Sequence, residues 1–231
     1  TKKKETMNSN YIGCKNFLEV IKENRFNTKF FNASSCEIYG NLRGKIKVSS
    51  PKYPVSPYGF AKLKSFKITK YFREIKNLKT FNIIFFNTES IYRKKFYLIP
   101  KICFAAINAA KFRKKTFFGN LDISREWNWA DDQCRLLVKF SNKYPQDFIL
   151  SNGKSYTAKA MLNYAFGYFK LDYKNFVRFD KKHLREKDIK EKKSNYLIYL
   201  KKNKIKKINY THGKKIIHLL INHYLKHKLV S

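Results

Sequence analysis

A tyrosine and a lysine stand four residues apart in VSPYGFAK, residues 55–62. Ser56 is a helix-capping residue type, and Pro57 suits the first helical position. Tyr58 then falls in the first turn, where the positive end of the helix dipole favours an anion, and Lys62 shares its face. An ammonium near a phenol stabilises the phenolate, so such a pair can act as a general base near neutral pH. A plainer reading is a tyrosine that covers core and a lysine that points to water, because both types are common in this chain. The spacing alone carries little specificity.

Three more stretches hold residues suited to chemistry. NASSCEIYG (32–40) follows an apolar run and groups Ser34, Ser35 and Glu37. Polar residues at the carboxyl end of a strand lie where open α/β folds bind ligands. FFNTES (85–90) follows the most apolar run of the chain, and FFGNLDISREWNWADD (117–132) contains Arg125, whose guanidinium can grip a phosphate through two hydrogen bonds.

The elements that must position these residues follow from apolar periodicity and turn signals. Helices are expected over 10–23, 57–77, 99–112, 129–142, 157–170 and near 214–227. Strands are expected over 29–34, 81–87, 116–120, 147–152 and 175–180. This alternation predicts an α/β protein built on a parallel sheet. The lysine run 201–207 reads as a solvated helix face.

Composition bounds the rest. The 231 residues are 43% hydrophobic and 17% aromatic, enough for a substantial core. Lys plus Arg is 51 against 16 Asp plus Glu, a formal charge of +35. Asn, Ile, Phe and Tyr are abundant beside Lys, so the charge reads as composition drift rather than a nucleic-acid surface. Cys14, Cys36, Cys103 and Cys134 include no CxxC pair, which fits free thiols in a reducing compartment. His223 and His227 lack a nearby carboxylate or cysteine and read as a surface pair, not a metal site. No apolar run reaches the roughly 18 residues of a membrane span, and a cytoplasmic setting is expected.

Taken in order, SSCEIYG, SPYGFAK, FNTESIYRKK and GNLDISREWNWADDQ resemble the extended short-chain dehydrogenase/reductases, and more narrowly the GDP-mannose 4,6-dehydratase family. That family's patterns are SPYGxAK, FNHESPRRG and GNLDxxRDWGHAxDY. The resemblance implies an NADP-dependent hydro-lyase. It would convert GDP-mannose to its 4-keto-6-deoxy product by internal redox exchange and loss of water across C5 and C6. Tyr58 corresponds to the base at the sugar 4-hydroxyl, and Lys62 to the residue that lowers its pKa and holds the nicotinamide ribose. Ser35 stands where the family usually has Thr, and Glu37 corresponds to the base at C5. Arg93 matches an arginine of the cofactor loop. Asn87, Lys101 and Arg125 match residues that hold the nucleotide diphosphate-sugar, with Arg185 and Asp188 at roughly matching positions. Homo-oligomers are implied as well. Thr88, Ile91, Tyr92, Trp129, Gln133 and Glu186 depart from the family pattern.

The eight glycines form no GxGxxG or GxxGxxG. A dinucleotide fold places that loop after its first strand, so the Gly-rich first βα units are expected ahead of Thr1. The fold class expected here is the C-terminal part of a Rossmann-like, doubly wound parallel sheet with a smaller α/β substrate-binding region. Residues 1–90 would be the remaining NADP-binding part with the Tyr/Lys pair. Residues 91–231 would be mostly substrate-binding, interleaved with the last Rossmann elements at about 129–152. Two other readings stand beside this one: another nucleotide-sugar dehydratase or epimerase of the superfamily, and a non-catalytic basic interaction module.

Overall fold

The apolar runs that alternate with amphipathic stretches become strands and helices in the computed structural model, which describes residues 2–183, 191–196 and 209–227. The chain divides into two compact units. One comprises Thr1–Phe86, Gln133–Gly153 and Ser194–Lys207, and the other Asn87–Asp132, Lys154–Lys193 and Ile208–Ser231.

The first unit is built on a parallel sheet of three strands, β1 (Lys29–Ser35), β3 (Lys79–Phe85) and β8 (Asp147–Leu150), with β3 in the middle. β2 is the two-residue strand Lys45–Ile46. Phe81, Ile83 and Ile84 of β3 are buried, as a central parallel strand requires. Helix α3 (Pro57–Glu74) packs on β1 and β3 through Ala61, Phe66, Thr69 and Phe72. It stops before the expected residue 77 because Asn77 takes a left-handed conformation (φ 56°) that turns the chain into β3. Helix α1 (Lys2–Met7) runs through a π-helical turn, Asn8–Ile12, into α2 (Gly13–Glu23). The expected start at residue 10 is therefore too late. Residues 2–7 bury nothing, so no apolar period announced them.

A row of polar side chains crosses this sheet. Asn32, Asn82 and Asp147 are in-register partners on β1, β3 and β8. Asn32 Nδ2 donates to Asn82 Oδ1 (2.8 Å), while Asn82 Nδ2 donates to Asp147 Oδ1 (2.9 Å) and to the Phe66 carbonyl of α3 (3.0 Å). Arg73 closes the row with an ion pair to Asp147 at 2.8 Å. Asn82 is fully buried, so these bonds offset its desolvation.

The second unit is mainly helical. Helices α4 (Leu98–Phe112), α6 (Ala158–Tyr168) and α7 (Lys214–Lys226) pack together around Ile102, Cys103, Leu162, Phe166, Ile217 and Leu220. Short strands lie beside them. β5 (Thr116–Phe118) and β10 (Val177–Phe179) pair in parallel, as do β4 (Thr88–Glu89) and β7 (Asn128–Trp129). β6 (Ser124–Arg125) pairs with β11 (Glu191–Ser194) in parallel and with β9 (Tyr156–Thr157) antiparallel. The strands expected over 116–120 and 175–180 thus form a small sheet of their own instead of extending the main one. Two-residue strands have no periodicity to read, and the sequence did not reveal them. Helix α5 (Ala130–Phe140) falls within the helix expected over 129–142, with Asp131 and Asp132 in its first turn. The run 201–207 lies outside the described residues.

Asn82→Ala should lower stability in urea unfolding by about 2 to 3 kcal/mol, because it strands the Asn32 amide and removes a partner of Asp147. A change below about 0.5 kcal/mol would show that the row does not hold the sheet.

Candidate active site

Ser35 ends β1, and its side chain accepts from the Glu37 amide (3.2 Å), starting a 3₁₀ turn over Cys36–Tyr39. Gly40 follows with φ 55° and ψ −127°, a conformation open to glycine, and a Cβ there would lie 1.8 Å from the Tyr53 carbonyl oxygen. The loop therefore folds back tightly before α3. Lys52 holds it, with its ammonium donating to the Val48 carbonyl at 2.8 Å and lying 5.1 Å from the centre of the Phe66 ring.

Ser56 caps α3, its Oγ accepting from the Gly59 amide at 3.0 Å, and Pro57 fills the first turn. Both features match the sequence reading. Gly59 has a further role, because a Cβ there would lie 2.7 Å from the Glu37 carbonyl oxygen. The backbone of the Ser35–Glu37 turn thus rests on the start of α3, directly beside Tyr58. Ser35, Glu37, Tyr58 and Lys62 come together in one unit.

Tyr58 is 42% exposed, so its ring stands open to solvent, and the Lys62 ammonium lies 5.6 Å from the ring centre. Lys62 Nζ donates to the Ala33 carbonyl of β1 at 2.8 Å. Burial pushes the Lys62 amine below its ordinary value, and the nearby Cys14 partly opposes this. Ser34 is buried, and its hydroxyl has no hydrogen-bond partner.

The other singled-out residues fall in the second unit. The Asn87 carbonyl accepts from the Asn128 amide at 2.8 Å and from its side chain at 3.1 Å, joining β4 to β7. Lys101 donates to the Phe117 carbonyl at 2.6 Å, and burial lowers its pKa. Arg125 is half-buried on β6, and its Nη1 donates to the Ser124 carbonyl at 2.8 Å. Arg93 stacks over the Tyr97 ring, 3.9 Å from its centre, at a cavity of about 340 Å³ that Ser90, Tyr92, Lys94 and Phe96 also line. Arg185 and Asp188 lie outside the described residues. Among the described residues no cluster of His, Cys, Asp and Glu could hold a metal ion, and no helix is long and apolar enough to cross a membrane.

Sequence reading passed over Glu89. Its carboxyl is 2% exposed, and burial pushes it up to about 8, against the pull of Arg93. The Arg93 Nε lies 3.3 Å from Glu89 Oε2, but the pair lacks hydrogen-bond geometry, so the attraction does not offset the desolvation. An acid directly after a buried strand was the available signal.

These elements define a Rossmann-like α/β chain built on a parallel sheet. Its fold matches dTDP-glucose 4,6-dehydratase from Bacillus anthracis, solved in complex with NAD, at TM-score 0.81 and 18% identity, covering 96% of this chain and 70% of that one. It also matches RMD from Pseudomonas aeruginosa, solved with NADPH, at TM-score 0.84 and 14% identity, covering 96% and 74%. The family model for GDP-mannose 4,6 dehydratase matches residues 1–213, and the chain belongs to that family. GDP-mannose 4,6 dehydratase 1 of Arabidopsis thaliana is 29% identical over 184 residues, which are 77% of this chain and 51% of the relative. The chain thus spans about half the length of the curated relatives it matches.

Glu89 should leave a signature in stability. A carboxyl whose folded pKa is raised stabilises fully below its unfolded value of 4.5, and this contribution is lost as pH rises through about 8. Between those values the stability of the wild type should fall relative to Glu89→Gln, by about 1 kcal/mol per pH unit. Parallel curves for the two proteins would place the Glu89 proton elsewhere.

Proposed function

We propose that this chain carries the catalytic residues of a GDP-mannose 4,6-dehydratase, a hydro-lyase that converts GDP-mannose to GDP-4-keto-6-deoxy-mannose with NADP as cofactor. The observation that carries the reading is the seat of Gly59 on the Glu37 carbonyl. It gathers a hydroxyl, a carboxylate, a phenol and an ammonium at the end of one strand and the start of one helix.

The residues fit one end of a nicotinamide cofactor. Lys62 keeps N–H donors beyond its bond to Ala33, the number needed to reach ribose hydroxyls beside Tyr58. No glycine-rich loop for the pyrophosphate occurs in this sequence. When bound, the nicotinamide supplies reversible two-electron exchange with the sugar. Tyr58 takes the proton of the sugar 4-hydroxyl, and the Lys62 ammonium stabilises the phenolate that does so. Ser35 donates to the sugar 4-oxygen, since its own Oγ accepts from Glu37 and its proton is left to donate. Glu37 removes the C5 proton and returns a proton to the departing C6 hydroxyl as water.

In this reading residues 1–90, with the elements at about 129–152, form the cofactor-binding part, and residues 91–231 otherwise form the substrate-binding part. Arg93 serves the cofactor. Asn87, Lys101 and Arg125 hold the nucleotide diphosphate-sugar, together with Arg185 and Asp188. A homo-oligomer is proposed as well, supported by apolar side chains exposed on α2 and α3, Phe17 and Tyr71 among them. The four free cysteines fit a cytoplasmic setting.

The test uses protein made from the complete coding sequence, with GDP-mannose and NADP supplied and the 4-keto product followed. Tyr58→Phe should lower kcat by about 10³-fold or more. Glu37→Gln should stop water loss and the entry of solvent deuterium at C5. Wild-type turnover by the Phe variant would remove Tyr58 from the role of base. Preference for another sugar nucleotide in a panel would overturn the substrate.

A further inference from the structure

Glu89 and Arg93 stand side by side in the second unit with no hydrogen bond between them. Arg93 Nε lies 3.3 Å from Glu89 Oε2, and both atoms are buried without a hydrogen-bond partner. A charged carboxylate and guanidinium this close gain most from two parallel hydrogen bonds. The guanidinium instead lies over the Tyr97 ring, 3.9 Å from its centre. A turn holds it there. The Arg93 amide donates to the Ser90 carbonyl at 3.1 Å, and the Tyr92 amide donates to Ser90 Oγ at 3.2 Å.

Arg93 thereby lines the cavity of about 340 Å³, beside Lys94 and Ser90 and with no acidic residue in the lining. Two cations and a hydroxyl suit an oxyanion. Glu89 lies behind this wall, 2% exposed. Its charge decides where the charge of Arg93 is directed: to the cavity, or back to a carboxylate.

The groups around Glu89 leave that decision to its own proton. Its register partner on β7, Trp129, brings no charge. Cys103 of α4 and Tyr224 of α7 feel Glu89, and burial raises both, so thiol and phenol keep their protons. Lys95 stands 4.8 Å from the centre of the Phe104 ring, which stacks on Tyr224 at 4.4 Å. Of these three acids only Glu89, pushed up to about 8, changes charge between pH 7 and pH 9.

We propose that Glu89 is a proton-operated positioning residue for Arg93: protonated, it leaves the guanidinium to bind an oxyanion in the cavity, and ionised, it holds the guanidinium and weakens that binding. The identity of the oxyanion as part of the cofactor rests on the role given to Arg93 above, whereas the gate does not.

Titration calorimetry with sulfate, whose charge is constant over this range, tests the gate on protein made from the complete coding sequence. Wild-type affinity should fall about tenfold from pH 7 to pH 9, because the binding-competent fraction falls by that factor. Glu89→Gln should change less than about twofold, and Arg93→Gln should bind weakly at both pH values. At pH 8 each sulfate bound should bring about half a proton with it, read from the heats in two buffers of different ionisation enthalpy. That measurement needs no variant, so it carries the test if Glu89→Gln does not fold.

Equal pH slopes for the wild type and Glu89→Gln overturn the inference. So does sulfate binding without proton uptake, or sulfate affinity that Arg93→Gln leaves unchanged. NADP titrated on the same proteins separates the two readings. If sulfate shows the gate while Arg93→Gln leaves NADP affinity unchanged, the cofactor role of Arg93 fails and the gate stands.

Discussion

The side-chain amide of Asn82 lies between two strands and a helix, and it bonds to all three. Its oxygen accepts from Asn32 on β1, and its nitrogen donates to Asp147 on β8 and to the carbonyl of Phe66 on α3. Apolar contacts alone would let α3 slide along the sheet at little cost, because they have no direction. A buried amide with three partners has one good geometry, and sliding leaves it unsatisfied. This constraint sets the position of α3 over β1. Ser35 and Glu37 leave the end of β1, and Tyr58 and Lys62 belong to the first turns of α3. The bond from Lys62 to the Ala33 carbonyl repeats the constraint nearer the site.

The two units contribute different chemistry. The first holds a phenol with an ammonium near its ring, and a serine whose hydroxyl accepts from the amide of a glutamate two residues on. The second sets Lys192, Arg125 and Tyr156 in register on short strands. Glu89 stands apart from both. Burial holds its proton near neutral pH, so its carboxyl adds no negative charge to a unit rich in lysine.

Much of the first unit was legible in the sequence, for physical reasons. β3 is a run of buried apolar residues long enough to read as a parallel strand, and Ser56 and Pro57 mark the start of α3 by hydrogen bonding and a fixed φ. Tyr58 and Lys62 could be placed on one helix face from spacing alone. The second unit was harder. Its strands are two or three residues long, set by partners distant in sequence, and leave no period. Tyr156 and His212 are 56 residues apart and meet through folding, so no local motif joins them. The helix at residues 2–7 was missed because a solvated helix made of lysines has no apolar stripe. Gly59 appeared only as the third residue of SPYGFAK. Its close approach to Glu37 is a fact of packing.

That approach joins main chain to main chain. The atoms that meet, the Glu37 carbonyl and the α-carbon of Gly59, are indifferent to which side chains surround them. Surface positions can drift toward lysine, asparagine and isoleucine without disturbing the meeting point. A chain with 51 basic residues among 231 can thus carry an extreme composition and keep this backbone contact. Mutational tolerance here is divided by kind: wide at the exposed faces, and close to nil at a glycine that does no chemistry.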